Sequence, residues 1–229
     1  MRLSLPQHVD HTGGADQAAQ IGAAAFVLSL RARGIRDTAV LGAMERVPRE
    51  LFAPRQFTDL ARTDVALPLP CGQTMTGPST VAVMLTALNV QPGLEVLEVG
   101  TGSGYITALL AKLGCIVHTI ERYTTLMESA RERLKIAGLA DTVSFEIGDG
   151  LAERSGVRFD RVLLNGSSPS VPTTITSLIS PGARLVGAVT LDGLPRLVKV
   201  DRLPDGELKQ EFGGPVRLSP LVAGPATSL

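Results

Sequence analysis

Leu94-Glu95-Val96-Leu97-Glu98-Val99-Gly100-Thr101-Gly102-Ser103-Gly104-Tyr105 is the stretch that decides the fold. Glu95–Val99 has the length and composition of a buried strand, and a glycine loop follows it at once. Tyr105–Leu113 then reads as a helix that Gly114 ends. Glycines at a strand-to-helix junction let a ligand approach the backbone, and the helix N-terminus offers free N–H donors. In open α/β sheets this crevice, at the carboxyl ends of the strands, is where ligands bind.

The pattern continues on both sides. Downstream, Ile116–Ile120 is a second strand, and Thr125 with Glu128 forms a capping box for a helix that stacks Leu126, Ala130 and Leu134. Val143–Ile147 and Arg161–Leu164 are further strands. Short apolar strands alternating with helices imply a parallel sheet covered on both faces. After Pro181-Gly182 the period changes, and Arg184–Val189, Leu197–Arg202 and Glu207–Phe212 follow one another as strands. The expected architecture is α/β: a Rossmann-like doubly wound, mostly parallel sheet with an antiparallel C-terminal edge.

Upstream lies a helical addition. Ala18–Arg33 reads as a helix stopped by Gly34, and Asp37 caps a second helix that runs to Arg46. Val40, Leu41 and Met44 share a face of that helix, and Val47-Pro48 breaks it. Leu67–Pro70 is a proline-rich connection, Gly72–Pro78 a polar loop, and Thr80–Leu88 a helix. Residues 1–16 are expected to be a loose leader, with His8 and His11 in a mobile tail rather than a metal site. Residues 17–229 are expected to form one domain, divided into the helices and loops of 17–90 and the sheet core of 91–229.

Bulk properties remove several function classes. Lys plus Arg and Asp plus Glu are both 22, so net charge favours neither nucleic acid nor an anionic membrane. No tryptophan is present to stack bases. Cys71 and Cys115 match no zinc or redox spacing, and one cysteine pair is no disulfide framework, which favours a reducing, cytoplasmic setting. The apolar stretch Ile21–Leu30 is too short to span a bilayer.

The ligand is narrowed by what surrounds the loop. A nicotinamide dinucleotide fingerprint needs a third glycine where this chain has Tyr105. Glu98 sets a negative charge beside the loop, which suits an ammonium-bearing ligand better than a pyrophosphate. Glu121 ends the second strand, where a carboxylate can accept from both ribose hydroxyls. Asp149, between Gly148 and Gly150, ends the third and could take an adenine amino group. Each feature alone is weak, since a strand-end carboxylate is often only a cap. Three at successive strand ends point to an adenosyl ligand.

The run Glu98–Gly104 resembles the first motif of class I methyltransferases, and Glu121 and Asp149 fall where that class binds ribose and adenine. Earlier segments are similar to one subfamily, the protein-L-isoaspartate O-methyltransferases. They are Gly34-Ile35, Asp37, Val40-Leu41, Ala43-Met44, Val47-Pro48-Arg49, Phe52 with Pro54, Leu67-Pro68-Leu69 and Gly72–Pro78. Phe159-Asp160, Pro169, Val171-Pro172, Pro181-Gly182, Arg184–Val186, Val216–Leu218 and Pro220-Leu221 continue the likeness. The resemblance implies S-adenosyl-L-methionine as cofactor, held by Glu98, Gly100, Thr101, Gly102, Ser103, Gly104, Glu121, Asp149 and Gly150. It implies methyl transfer to the free α-carboxylate of an isoaspartyl residue in a peptide or protein, after which the ester collapses to a succinimide. A carboxylate of pKa ~4 is already ionised at neutral pH, so the displacement needs no general base. His118, inside a strand, reads accordingly as a packing residue.

The departures from the family lie on the acceptor side. Thr76 stands where the family carries a serine regarded as the active-site residue, and keeps its hydroxyl; Thr74 lies beside it. Asn165, Gly166, Ser167 and Ser168 replace a run of small apolar residues that faces the substrate, and Pro195 replaces a glutamine. Two other readings therefore stay open here: a methyltransferase for a specialised peptide or other carboxylate, and a non-catalytic adenosyl-binding protein.

Overall fold

The computed structural model describes residues 12–224 and Ala226; His8 and His11 lie outside the described residues. Helix α1 (Thr12–Ala32) begins earlier than expected, so residues 12–16 extend it rather than form a leader. Asp37 caps α2 (Thr38–Arg46) as anticipated, its Oδ1 accepting from the Ala39 and Val40 N–H groups at 3.0 Å each. Val40, Leu41, Ala43 and Met44 are the buried face. The chain continues through α3 (Arg49–Phe52) and a 3-10 stretch, Arg55–Leu60. The proline-rich connection and polar loop fold back as a small antiparallel pair, β1 (Leu67–Pro68) and β2 (Thr74–Met75), with Leu67 opposite Met75. Helix α4 (Pro78–Leu88) follows.

Alternation then sets in: β3 (Glu95–Val99), α5 (Tyr105–Lys112), β4 (Ile116–Glu121), α6 (Thr124–Ile136), β5 (Val143–Ile147), β6 (Phe159–Ser168), α7 (Thr173–Thr176), β7 (Ile179–Leu191), β8 (Leu194–Arg202) and β9 (Leu208–Pro215). The sheet order is β5-β4-β3-β6-β7-β8-β9. Strands β5 through β7 in that order are mutually parallel, and β8 and β9 complete the edge antiparallel. Helix α6 starts from Tyr123 with no side-chain cap, which corrects the capping box expected at Thr125 and Glu128. Thr125 already lies inside the first turn, and the Tyr123 N–H is satisfied instead by Glu121 Oε1 at 3.1 Å.

The strands bury both faces because side chains alternate. Val96, Leu163 and Val186 join the cluster built with α1, α2, α4, α5 and α6. Leu97, Val99, Val162, Leu164 and Leu185 join the other, with α7 residues such as Ile175. The α4 C-terminus is tied to the sheet by arginines. Arg161 Nε donates to Leu88 O at 2.9 Å and Arg184 Nη1 to Ala87 O at 3.0 Å, satisfying carbonyls that a helix end leaves open. His118 packs edge-on against Phe159, ring centroids 5.3 Å apart. Among the described residues no helix is long and apolar enough to cross a membrane.

The winding reverses at β3, whose neighbours β4 and β6 lead to opposite edges, so the crevice opens above β3. Gly104 lets the chain enter α5 there, with φ +85 and Ala130 of α6 close beneath it. A Cβ at this position would lie 2.9 Å from Ala130 Cβ. Gly104→Ala is therefore expected to destabilise the protein by about 2–4 kcal/mol, through positive φ and overpacking together. The check is a urea melt, with a lower midpoint at unchanged slope. A change under about 0.5 kcal/mol would contradict the close α5–α6 contact.

Candidate active site

Three strand ends and the C-terminal tail build one cavity. The Gly100 N–H donates to Ile120 O at 2.8 Å, which holds the loop after β3 against β4. Gly102 N–H donates to Glu121 Oε2 at 2.9 Å. With Tyr123 on its other oxygen, Glu121 is fixed by two backbone donors while lining the cavity. A carboxylate has about four acceptor positions, so room remains for a diol. Asp149 is held likewise: Oδ1 accepts from Leu151 N–H at 2.9 Å and Oδ2 from Gly224 N–H at 2.6 Å. Val99, Ile120 and Leu151 give the cavity apolar walls. Two anchored carboxylates and apolar walls beside a glycine loop suit a nucleoside better than a pyrophosphate.

Of the residues expected around the ligand, the structure brings Gly100, Gly102, Glu121, Asp149, Gly150, Thr74, Thr76 and Asn165 to this cavity. Thr101 and Ser103 face a smaller neighbouring space with Tyr105, and Gly104 lies beneath the loop. The Thr101 hydroxyl meets the Thr119 hydroxyl at 2.6 Å in the interior.

Glu98 does not reach the cavity. It is fully buried, with Oε2 accepting from Thr107 Oγ1 at 2.5 Å and Thr119 Oγ1 at 2.8 Å. Burial pushes its carboxyl up to about 8, against which the two hydroxyl donors act only partly. The neutral acid is favoured at pH 7, so Glu98 buttresses α5 and β4. The expectation of a negative charge beside the loop is corrected: desolvation removes that charge.

The acceptor-side residues divide in the same way. Thr76 is 7% exposed and donates from Oγ1 to Asn165 Oδ1 at 3.1 Å. Thr74 Oγ1 pairs with Ser219 Oγ at 3.0 Å. Gly166, Ser167 and Ser168 do not line the cavity: the tail lies over the first two, and Ser168 turns to Ser170. Ser167 exchanges backbone hydrogen bonds with Ser219 and Leu221, 2.9 and 2.8 Å, and Ser168 Oγ donates to Ser170 O at 2.7 Å. Leu221 packs on Gly166 so closely that a Cβ there would meet its Cγ at 2.5 Å.

The sequence profile of the protein-L-isoaspartate(D-aspartate) O-methyltransferase family matches residues 22–226. The chain belongs to that family. Among its relatives, the protein-L-isoaspartate O-methyltransferase of Azorhizobium caulinodans is 43% identical over 210 residues, 90% of this chain and 95% of that one. The enzyme of the same name from Parvibaculum lavamentivorans is 41% identical over 205 residues, 88% and 91% of the two chains. In fold the chain is similar to a crystal structure from Plasmodium falciparum, assigned to the same activity and holding S-adenosyl-L-homocysteine. That likeness has a TM-score of 0.75 at 20% identity and covers 86% of this chain and 97% of that one.

For a member of the protein-L-isoaspartate O-methyltransferase family, sequence reasoning missed three supports of the site. Arg49 is one. Its buried guanidinium donates to Ala61 O at 2.5 Å and Thr76 O at 2.9 Å, and it lies over the Tyr105 ring at 5.7 Å from the centroid. Its signal, Val47-Pro48-Arg49, was legible as a motif but carried no role. The second is the tail, whose Val222 O accepts from Arg122 Nη1 at 2.9 Å and whose Gly224 N–H holds Asp149. Ser219, the third, also belongs to an outer groove that runs past Thr74, Gly77, Leu194 and Pro195.

The state of Glu98 has a measurable sign. Its folded value, about 8, lies above its ordinary value of 4.5, so the unfolded chain loses that proton first and stability falls as pH rises between the two. Glu98→Gln keeps the shape without the titration. Its melting temperature relative to the unsubstituted protein is expected to climb from pH 5 to pH 8 and then level off. A difference that stays flat with pH would show Glu98 to be an ordinary carboxylate.

Proposed function

We propose that this chain is an S-adenosyl-L-methionine-dependent carboxyl O-methyltransferase acting on L-isoaspartyl residues of damaged proteins or peptides. The family supports the activity. The observation that carries the reading is that the nucleoside cavity and the outer groove share Thr74 and Ser219. A bound sulfonium cofactor would present an electrophilic methyl group at that junction. Glu121 and Asp149 would hold its ribose and adenine, with Gly100 and Gly102 beside the rest of the molecule.

The work left to the protein is placement. An isoaspartyl α-carboxylate arrives ionised, so no side chain has to remove a proton before the oxygen attacks. Thr74 and Ser219 border the junction as a hydroxyl pair that keeps one proton free to donate to that carboxylate, while the Thr76 proton is committed to Asn165 Oδ1. Such orientation can supply most of the acceleration of a direct displacement. The groove along Gly77, Leu194 and Pro195 offers a wall for the flanking peptide, and Pro195 presents no N–H to it. Its carbonyl is engaged with Val216 N–H at 2.9 Å. A cytoplasmic setting is part of the same proposal, supported by Cys71 and Cys115, both free thiols.

The deciding experiment pairs an isoaspartyl peptide with the aspartyl peptide of identical sequence. Methyl incorporation that is lost in base is expected for the first and absent for the second. Equal labelling of both would end the assignment. Binding is checked separately by calorimetry with S-adenosylhomocysteine. Glu121→Ala and Asp149→Ala each remove charged acceptors worth about 1.5–3 kcal/mol. Affinity is expected to fall roughly ten- to a hundredfold, while unchanged affinity in both variants would place the nucleoside elsewhere.

A further inference from the structure

Asn165 sits where β6 departs from regular pairing. Between Leu163 and Ser167 the strand advances four positions while β7 advances two, from Val186 to Ala188. Irregularities of this kind re-aim a side chain, and here the side chain of Asn165 turns into the site, against the glycine loop. Its Cβ would lie 3.6 Å from a Cβ placed on Gly100. Asn165 Nδ2 donates to Gly100 O at 2.9 Å, and Oδ1 accepts from Thr76 Oγ1 at 3.1 Å. The amide can be oriented only this way, because the reverse would set its oxygen against the Gly100 carbonyl. Thr76 is thereby held from two sides, its carbonyl by Arg49 and its hydroxyl by Asn165.

We propose that Asn165 is a positioning residue, not a substrate contact, which ties the acceptor hydroxyl of Thr76 to the cofactor loop at Gly100. This rests on the methyl-transfer reading above and adds to it the device that sets the spacing between donor and acceptor. Both functional groups of the amide are already used within the protein, one on each side of the reaction site. A change of spacing there acts on the reacting geometry, and so on turnover more than on peptide affinity.

The chemistry of the amide supplies a test that simple loss of packing would not mimic. In Asn165→Asp the atom facing the Gly100 carbonyl becomes a carboxyl oxygen. When protonated it can donate as the amide did; when ionised it opposes the carbonyl. The ion is disfavoured in the folded protein, so the carboxyl is held above its unfolded value of ~4. Stability is then lost as pH rises from that value toward the folded one. Relative to the unsubstituted protein, the melting temperature of the Asp variant is expected to fall by a further ~4 °C or more between pH 5 and pH 8. Its relative kcat on an isoaspartyl peptide is expected to recover severalfold as pH drops over the same range. Asn165→Ala is expected to lower kcat about tenfold or more while KM for the peptide changes less than about threefold.

A raised KM with kcat preserved would make Asn165 a substrate contact and overturn the proposal. So would a melting difference for the Asp variant that is the same at pH 5 and pH 8. The melting measurement needs no substrate. If the unsubstituted protein methylates no isoaspartyl peptide, the functional reading falls, while the pH dependence still judges the Thr76–Asn165–Gly100 link.

Discussion

The hydrogen bond from Gly102 N–H to the Glu121 carboxylate joins two walls of the cavity. It connects the loop after β3 with the end of β4, and the other oxygen of the same carboxylate starts α6 through Tyr123 N–H. One side chain therefore fixes a loop, a strand end and a helix start. That explains why a carboxylate lining the cavity can sit at 6% exposure without being stranded. Parallel pairing of β3 with β4, residue by residue from Glu95 and Ile116 to Val99 and Ile120, brings the two ends level.

Much of the core was legible because it obeys local rules. Glu95–Val99 and Val143–Ile147 coincide with strands, and Asp37 caps its helix. Strand periodicity and cap chemistry act within a few residues, so a single chain reveals them. The errors share a different origin. Thr125 with Glu128 satisfied the spacing of a capping box, but the helix starts earlier, from Tyr123, whose N–H donates to Glu121 at the end of the preceding strand. Glu98 looked like a charge because it stands one residue from the end of β3, just before the glycine loop. Its neutrality follows from burial under α5 and β4, which the Thr107 and Thr119 hydroxyls from those elements oppose only in part.

The acceptor side was legible only in part, for the same reason. Thr74, Thr76 and Asn165 reach the cavity as expected. Gly166 and Ser167 follow directly on Asn165, yet they are covered by a tail more than fifty residues further along the chain. No spacing within Asn165–Ser168 signals that cover. It depends on Ser167 exchanging backbone hydrogen bonds with Ser219 and Leu221, and on Leu221 entering the space that Gly166 leaves. Polarity at Ser167 and Ser168 thus says little about the substrate.

The charge pattern that results separates binding from support. Near the reacting region the chain buries one cation, Arg49, against backbone carbonyls and an aromatic face, and keeps one acid, Glu98, in its neutral form. Burial lowers the Arg49 pKa from its ordinary value, which its aromatic and acidic neighbours oppose. Neither group spends its charge on the cavity. Glu121 and Asp149 are the carboxylates that line it, and each is anchored by backbone N–H groups. A ligand entering there meets acceptors held in place before it arrives, so binding does not have to immobilise them. Arg49 meanwhile acts on the acceptor side through the Thr76 carbonyl, with no charge presented to the substrate. A negatively charged group at the junction would meet the Thr74 and Ser219 hydroxyls, with Arg122 on the cavity side and Arg217 along the outer groove.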